Sequence, residues 1–66
     1  MIDKKVGESR LSERKFIRYS EGAILYGINE RKFANMAKDA GAIYKVDRVV
    51  LVNREIFERY LESFHI

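Results

Sequence analysis

Two rhythms of apolar residues divide the chain. From Glu30 to Ala40, Phe33, Met36, Ala37 and Ala40 fall on one stripe at helical spacing, and Arg31, Lys32, Asn35 and Lys38 fall on the opposite one. A second stripe, Ile56, Phe57, Tyr60, Leu61 and Phe64, predicts a closing helix whose outer face is Arg54, Glu55, Glu58, Arg59 and Glu62. Between them the rhythm shortens. Ile43 to Lys45 and Val49 to Val52 are rich in β-branched and aromatic residues and are split by a polar break at Asp47-Arg48, which predicts a two-stranded hairpin. Its turn lacks the Asn-Gly or Asp-Gly pair that would fix type and register. Upstream, Phe16 to Tyr19 is β-prone and predicts a short strand leading into a first helix, with Ala23, Ile24, Leu25 and Tyr26 as its inward face.

Boundary residues agree with this order. Ser20 suits the start of helix one as a capping acceptor, and Glu21 suits the positive end of its dipole. Gly27 ends that helix and Ile28 packs back under the turn; Asn29 caps helix two and Gly41 closes it; Asn53 caps the last helix. The expected fold is therefore α+β: a small winged helix-turn-helix of three helices plus a two-stranded β-hairpin wing, with a short N-terminal strand. Residues 15–66 form this domain. Residues 1–14 mix charge, Gly7 and Ser9 with few apolar side chains, so a mobile basic arm is expected, with a short helical turn at Leu11 to Lys15 and Leu11 folding back on the domain.

Composition changes this picture in two respects. A chain of 66 residues with no cysteine and no proline has one small core, worth only about 3–5 kcal/mol of net stability. Self-association or a bound partner would supplement it. The formal charge is +3, spread unevenly: residues 1–20 hold six basic and three acidic side chains, 21–52 five and four, and 53–66 two and three. No apolar run approaches the roughly 20 residues that cross a bilayer, and Met1 to Arg14 has no apolar segment of the signal-peptide kind. A cytoplasmic location is expected.

Catalysis has little to build on. The single histidine, His65, is the penultimate residue, and no Gly-rich phosphate loop or metal-ligand spacing is present, so neither enzyme activity nor a cofactor is expected. Binding of double-stranded DNA has a mechanism. The start of a helix set against a preceding one enters the major groove, where Arg or Lys reads guanine and Asn reads adenine. Arg31, Lys32 and Asn35 occupy that part of helix two, and Lys38, farther along, suits a phosphate. Lys45 and Arg48 flank the wing tip, with Asp47 weakening the local field, while Arg14, Lys15, Arg18 and Ser20 lie before or at the start of helix one. The competing reading is that these cations only keep a surface wet. Most aromatics sit on apolar stripes and read as core; for Tyr44 the pattern leaves core and base stacking both open.

From Tyr19-Ser20 to Leu61 the sequence resembles the excisionase-type winged helix-turn-helix, a relative of the MerR group of regulators. The residues that carry the resemblance are Ser20, Glu21-Gly22-Ala23, Gly27-Ile28, Asn29, Arg31 to Ala40, Ile43 to Val52 and Ile56 to Leu61. Lys15 to Tyr19, Ala40 to Val46, Val50 to Asn53 and Tyr60 to Phe64 are similar to small uncharacterised, excisionase-like proteins of integrative and conjugative elements in Gram-positive bacteria. Three positions depart from the family pattern: Gly22 stands where alanine is usual, Asn35 where arginine is common, and the wing tip has no glycine. The resemblance implies a recombination directionality factor that binds and bends element-end DNA, several copies together, to help a tyrosine integrase. A MerR-like transcriptional regulator and a winged-helix protein-interaction module are the alternatives.

Overall fold

The computed structural model describes residues 13–66. Strand β1 (Phe16–Ile17) leads into helix α1 (Tyr19–Tyr26), followed by α2 (Glu30–Ala40), the hairpin β2 (Ile43–Val46) and β3 (Val49–Asn53), and α3 (Arg54–Glu62). The described residues thus form a small α+β fold in the order helix, turn, helix, wing, closing helix. The antiparallel sheet has strand order β1-β3-β2. Ile17 and Ile43 both pair with Val52, which places three apolar side chains in a row on the face toward the helices. The short N-terminal strand is real, but it spans two residues and stops before Arg18 and Tyr19.

The core is small and aromatic. Ile17, Phe33, Ala37, Ala42, Val52 and Phe57 are buried. The Phe33 ring stacks on Tyr26 at 5.8 Å between centroids and tilts against Phe57 at 4.7 Å. Helix α2 therefore hangs from the core through one phenylalanine that α1 and α3 grip from two sides. Gly22 is buried in α1, and a Cβ added there would run into Cζ and Cε2 of Phe33. The absent side chain is what lets α1 and α2 approach so closely. Ile24, expected to face inward, is 67% exposed. Helix α1 is too short and too uniformly apolar for pattern to choose its inner face, and the close approach at Gly22 chooses it instead.

Helix ends follow the expected chemistry with one exception. Asn29 Oδ1 accepts from Lys32 N at 2.7 Å, and Asn53 Oδ1 accepts from Glu55 N and Ile56 N. Gly27 and Gly41 end α1 and α2 in the left-handed region at φ 70° and 72°. Ser20 does not cap α1. The helix starts at Tyr19, and the Glu21 carboxylate reaches back to accept from Arg18 N at 2.8 Å. A carboxylate at the third helical position, closing on the residue before the helix, takes the place expected of a serine hydroxyl.

Two further expectations are corrected, and the open question of the wing turn is answered. Arg54 does not face solvent: its guanidinium donates to Tyr26 Oη at 3.4 Å, to the Arg14 carbonyl at 2.8 Å and to Glu58 Oε2 at 2.8 Å. Phe64 is 57% exposed because α3 ends at Glu62, before the apolar stripe does. At the wing, Val46 pairs with Val49 across the two-residue turn Asp47-Arg48, and Asp47 takes φ 56°. An aspartate supplies the positive φ for which a glycine was missing. Of the turn expected over Leu11 to Lys15, residues 11 and 12 lie outside the described residues with most of the expected arm, Glu13 is helical, and Arg14 and Lys15 are not. Among the described residues no helix is long and apolar enough to cross a membrane.

Candidate nucleic-acid interface

Helix α2 presents its polar stripe away from the core. Phe33 and Ala37 are buried, so Arg31, Asn35 and Lys38, at i, i+4 and i+7, must lie on the far side with Lys32 beside them, and all four are exposed. Among the described residues their side chains have no ion pair or hydrogen bond. Three long cationic donors and one short amide thus stand on a helix whose opposite face is held in the core by Phe33 and Ala37.

The wing and α1 converge on the start of this helix. Arg18, Tyr19 and Ser20 from the α1 entry, Glu30 from the first turn of α2, and Arg48 and Val50 from the wing line a single open notch of about 260 Å³. Three of the nominated residues, Arg18, Ser20 and Arg48, thus come together from two separate segments. Lys45 stands opposite Val50 in the ladder, on the same sheet face as that wall of the notch. Tyr19 and Glu30 were not nominated from sequence. Glu30 directly follows the capping residue Asn29 at the start of α2, and no local signal in the sequence set it apart.

Two basic residues near α1 are committed elsewhere. Arg14 forms a fork with Glu21, at 3.2 Å to both carboxylate oxygens, which ties the end of the expected arm to α1. Lys15 Nζ lies 5.8 Å from the Phe16 ring centroid. Tyr44 belongs to the outer face of the sheet: its ring meets Phe16 edge-on at 5.1 Å, and its hydroxyl accepts from Asn53 Nδ2 at 3.4 Å. It is a scaffold aromatic, although 42% exposed.

Behind the interface, a polar cluster fixes α3 against α1. Tyr26 Oη donates to Glu58 Oε2 at 2.6 Å and accepts from Arg54. Burial, then the bond to Glu58, pushes the Tyr26 phenol up to about 12. The Tyr26 hydroxyl, reinforced by Arg54, holds the Glu58 carboxyl below its ordinary value, and the bond to Tyr26 raises Arg54 further. The cluster is charged, satisfied and on the side of α1 that meets α3, so its part is to hold the scaffold. Among the described residues no three His, Asp or Glu side chains converge as a metal site.

No characterised protein and no solved structure gives a match to the chain. Residues 14–64, which contain every element from β1 to α3, match the family of unknown function DUF6462, and the chain belongs to that family.

Proposed function

We propose that the protein is a sequence-specific double-stranded DNA-binding protein that reads the major groove with α2 and rests its wing on the adjacent backbone. One observation carries the reading: the exposed side of α2 holds Arg31, Lys32, Asn35 and Lys38 with no partner among the described residues. Arg31 and Lys32 suit guanine O6 and N7, Asn35 suits adenine N6 and N7, and Lys38 suits phosphate. Each bidentate base contact discriminates by about 1–3 kcal/mol. Arg18, Ser20, Lys45 and Arg48 add contacts to the backbone that position the protein without reading sequence.

The resemblance of Tyr19 to Leu61 to excisionases supports a finer reading. In it the protein is a recombination directionality factor, bound in several copies on phased sites at the end of a mobile element. It bends the DNA there and helps a tyrosine integrase, catalysing nothing and needing no cofactor. It works in the cytoplasm, on the nucleoid when bound. A MerR-like regulator would use the same surface on a promoter.

Selection of bound duplexes from a random library, at near-physiological salt and beside the Arg31/Lys32/Asn35 triple-alanine variant, tests both levels. A motif enriched by the native protein and lost in the variant is expected. Repeats of that motif at helical phasing next to an integrase core site favour excision, and a lone site in a promoter favours transcription. If nothing is enriched and the variant behaves as the native chain, base reading is wrong and the fold serves as a protein-interaction module.

A further inference from the structure

The notch beside α2 has a chemistry of its own. Its walls carry two arginines from distant parts of the chain, Arg18 before α1 and Arg48 at the wing tip, together with Ser20 of α1 and Glu30 of α2. Among the described residues neither arginine side chain has an ion pair or hydrogen bond. Arg14, by contrast, is neutralised by Glu21 a short distance along the same segment. The fold thus pairs the arginine that would compete with Arg18 and leaves the two that face the notch open.

Size and charge narrow the occupant. At about 260 Å³ the notch is smaller than the roughly 300–1,000 Å³ of pockets that take drug-sized ligands. Planar guanidinium forks match phosphate oxygens in pairs, and a serine hydroxyl donates a third bond. Glu30 reduces the local charge from two cations to a net of one, which suits one monoanionic phosphodiester and opposes a polyphosphate.

We propose that the notch seats a single phosphate of the DNA backbone, gripped by both Arg18 and Arg48, with the Ser20 hydroxyl donating a further bond. The inference rests on the DNA-binding reading and sharpens it. Wing and helix-one entry hold the same phosphate, not two neighbouring ones, so DNA closes a bridge between the wing tip and the segment entering α1, beside the start of α2. That bridge sets the height and angle at which Arg31 and Asn35 meet the bases. Glu30 weakens this grip on every duplex, whatever its sequence.

The test uses the selected duplex and scans one neutral methylphosphonate linkage along each strand. With the native protein, the linkage seated in the notch is expected to lower affinity by about tenfold or more, because neutralising it weakens both arginine contacts at once. Arg18→Ala and Arg48→Ala should each lose about tenfold on unmodified DNA, and the double variant less than the product of the two, because two contacts made to one phosphate are coupled. On the duplex carrying that linkage, neither substitution should cost anything further. Both positions are exposed, and unchanged thermal melting of each variant separates a lost contact from a lost fold. Glu30→Gln should tighten binding to every duplex alike.

Two different sensitive linkages, one for each arginine, or full additivity in the double variant would overturn the shared seat while leaving DNA binding intact. Failure of the native protein to bind any duplex would sink the DNA reading itself, and this proposal with it.

Discussion

Replacing Gly22 by alanine sets two opposed effects against each other, and the structure decides the winner. Alanine in a helix interior is favoured over glycine by about 1 kcal/mol. At Gly22, however, the new Cβ would overlap Cζ and Cε2 of Phe33 and lie 2.7 Å from Cε1. The far end of a flexible side chain could swing away, but Phe33 is fully buried, with Tyr26 stacked at 5.8 Å and Phe57 at 4.7 Å. Relief requires α1 to lift off α2 or three rings to move together. Overpacking of this kind costs about 1–3 kcal/mol, and a ring hemmed in on two sides puts this case at the upper end. Subtracting the propensity gain leaves a net loss of about 1–2 kcal/mol, set against a total of only about 3–5 kcal/mol for a domain of this size.

One kcal/mol shifts the melting temperature of such a domain by about 4–8 °C, so Gly22→Ala should melt about 5–15 °C lower in a calorimetric or circular dichroism scan. Shortening the ring isolates the cause: Phe33→Leu loses packing by itself, but in the double variant alanine should cost much less than in the native background, a coupling above about 1 kcal/mol. A Gly22→Ala protein that melts at or above the native temperature would show that propensity wins and that the helices are not in the contact described. DNA affinity should fall with stability, since the same contact sets how far α2 stands from α1.

Asp47→Gly should stabilise the fold by about 0.5–1 kcal/mol, because Asp47 holds φ 56°, where glycine carries no Cβ penalty; a melting temperature below that of the native protein would mean the aspartate side chain is needed in the turn. Tyr26→Phe should cost about 1–2 kcal/mol by removing the hydroxyl that bonds both Glu58 and Arg54, which keep their bond to each other, and its pH dependence carries a sign at each end. The folded phenol, at about 12, lies above the unfolded value near 10, so the Tyr26 contribution is complete below pH 10 and is lost as pH rises through about 12. Glu58 is lowered on folding, so its contribution is present above the ordinary carboxylate pKa and is lost as pH falls through the depressed one. Melting temperature against pH should therefore fall more steeply at both extremes in the native protein than in the variant; parallel curves would refute the linkage.

What the sequence could announce depended on whether the signal was local. Asn29, Asn53, Gly27 and Gly41 act within a turn of where they stand, so the ends of α2 and α3 and the end of α1 were legible. The start of α1 was not: Ser20 read as the cap and Glu21 only as a partner of the helix dipole, whereas the Glu21 carboxylate reaches back to Arg18 N. Gly22 was visible as a departure from a family pattern, but that its partner is the Phe33 ring is a tertiary fact. Arg54 read as a surface charge on a helical pattern; its burial follows from where α1 places Tyr26 and where the segment before β1 leaves the Arg14 carbonyl. For the candidate site, the α2 stripe was fully readable. The notch was not, since no periodicity brings Arg18, Glu30 and Arg48 together.

The two amphipathic helices use their charges differently, and the difference supports the proposed DNA-binding role of α2. A helix that uses charge for solubility spaces opposite signs three or four residues apart, where neighbours attract. Helix α3 does so: Arg54 pairs with Glu58 at 2.8 Å, and Arg59 has Glu55 four residues before it and Glu62 three after. Helix α2 does the reverse. Counting three or four residues either way from Arg31, Lys32 and Lys38 reaches no acidic residue, and its two carboxylates, Glu30 and Asp39, stand at the two ends of the helix. Its positive stripe is therefore left uncompensated at the very spacing where compensation is easiest, beside a notch whose two arginines are also unpaired among the described residues. Such an arrangement costs self-repulsion in the free protein and recovers it only when an external polyanion supplies the missing charge. The same comparison fixes which substitutions matter. Moving a carboxylate into register on α2 should weaken DNA binding without harming the fold, whereas removing one from α3 should harm the fold and leave binding to the surviving folded protein unchanged.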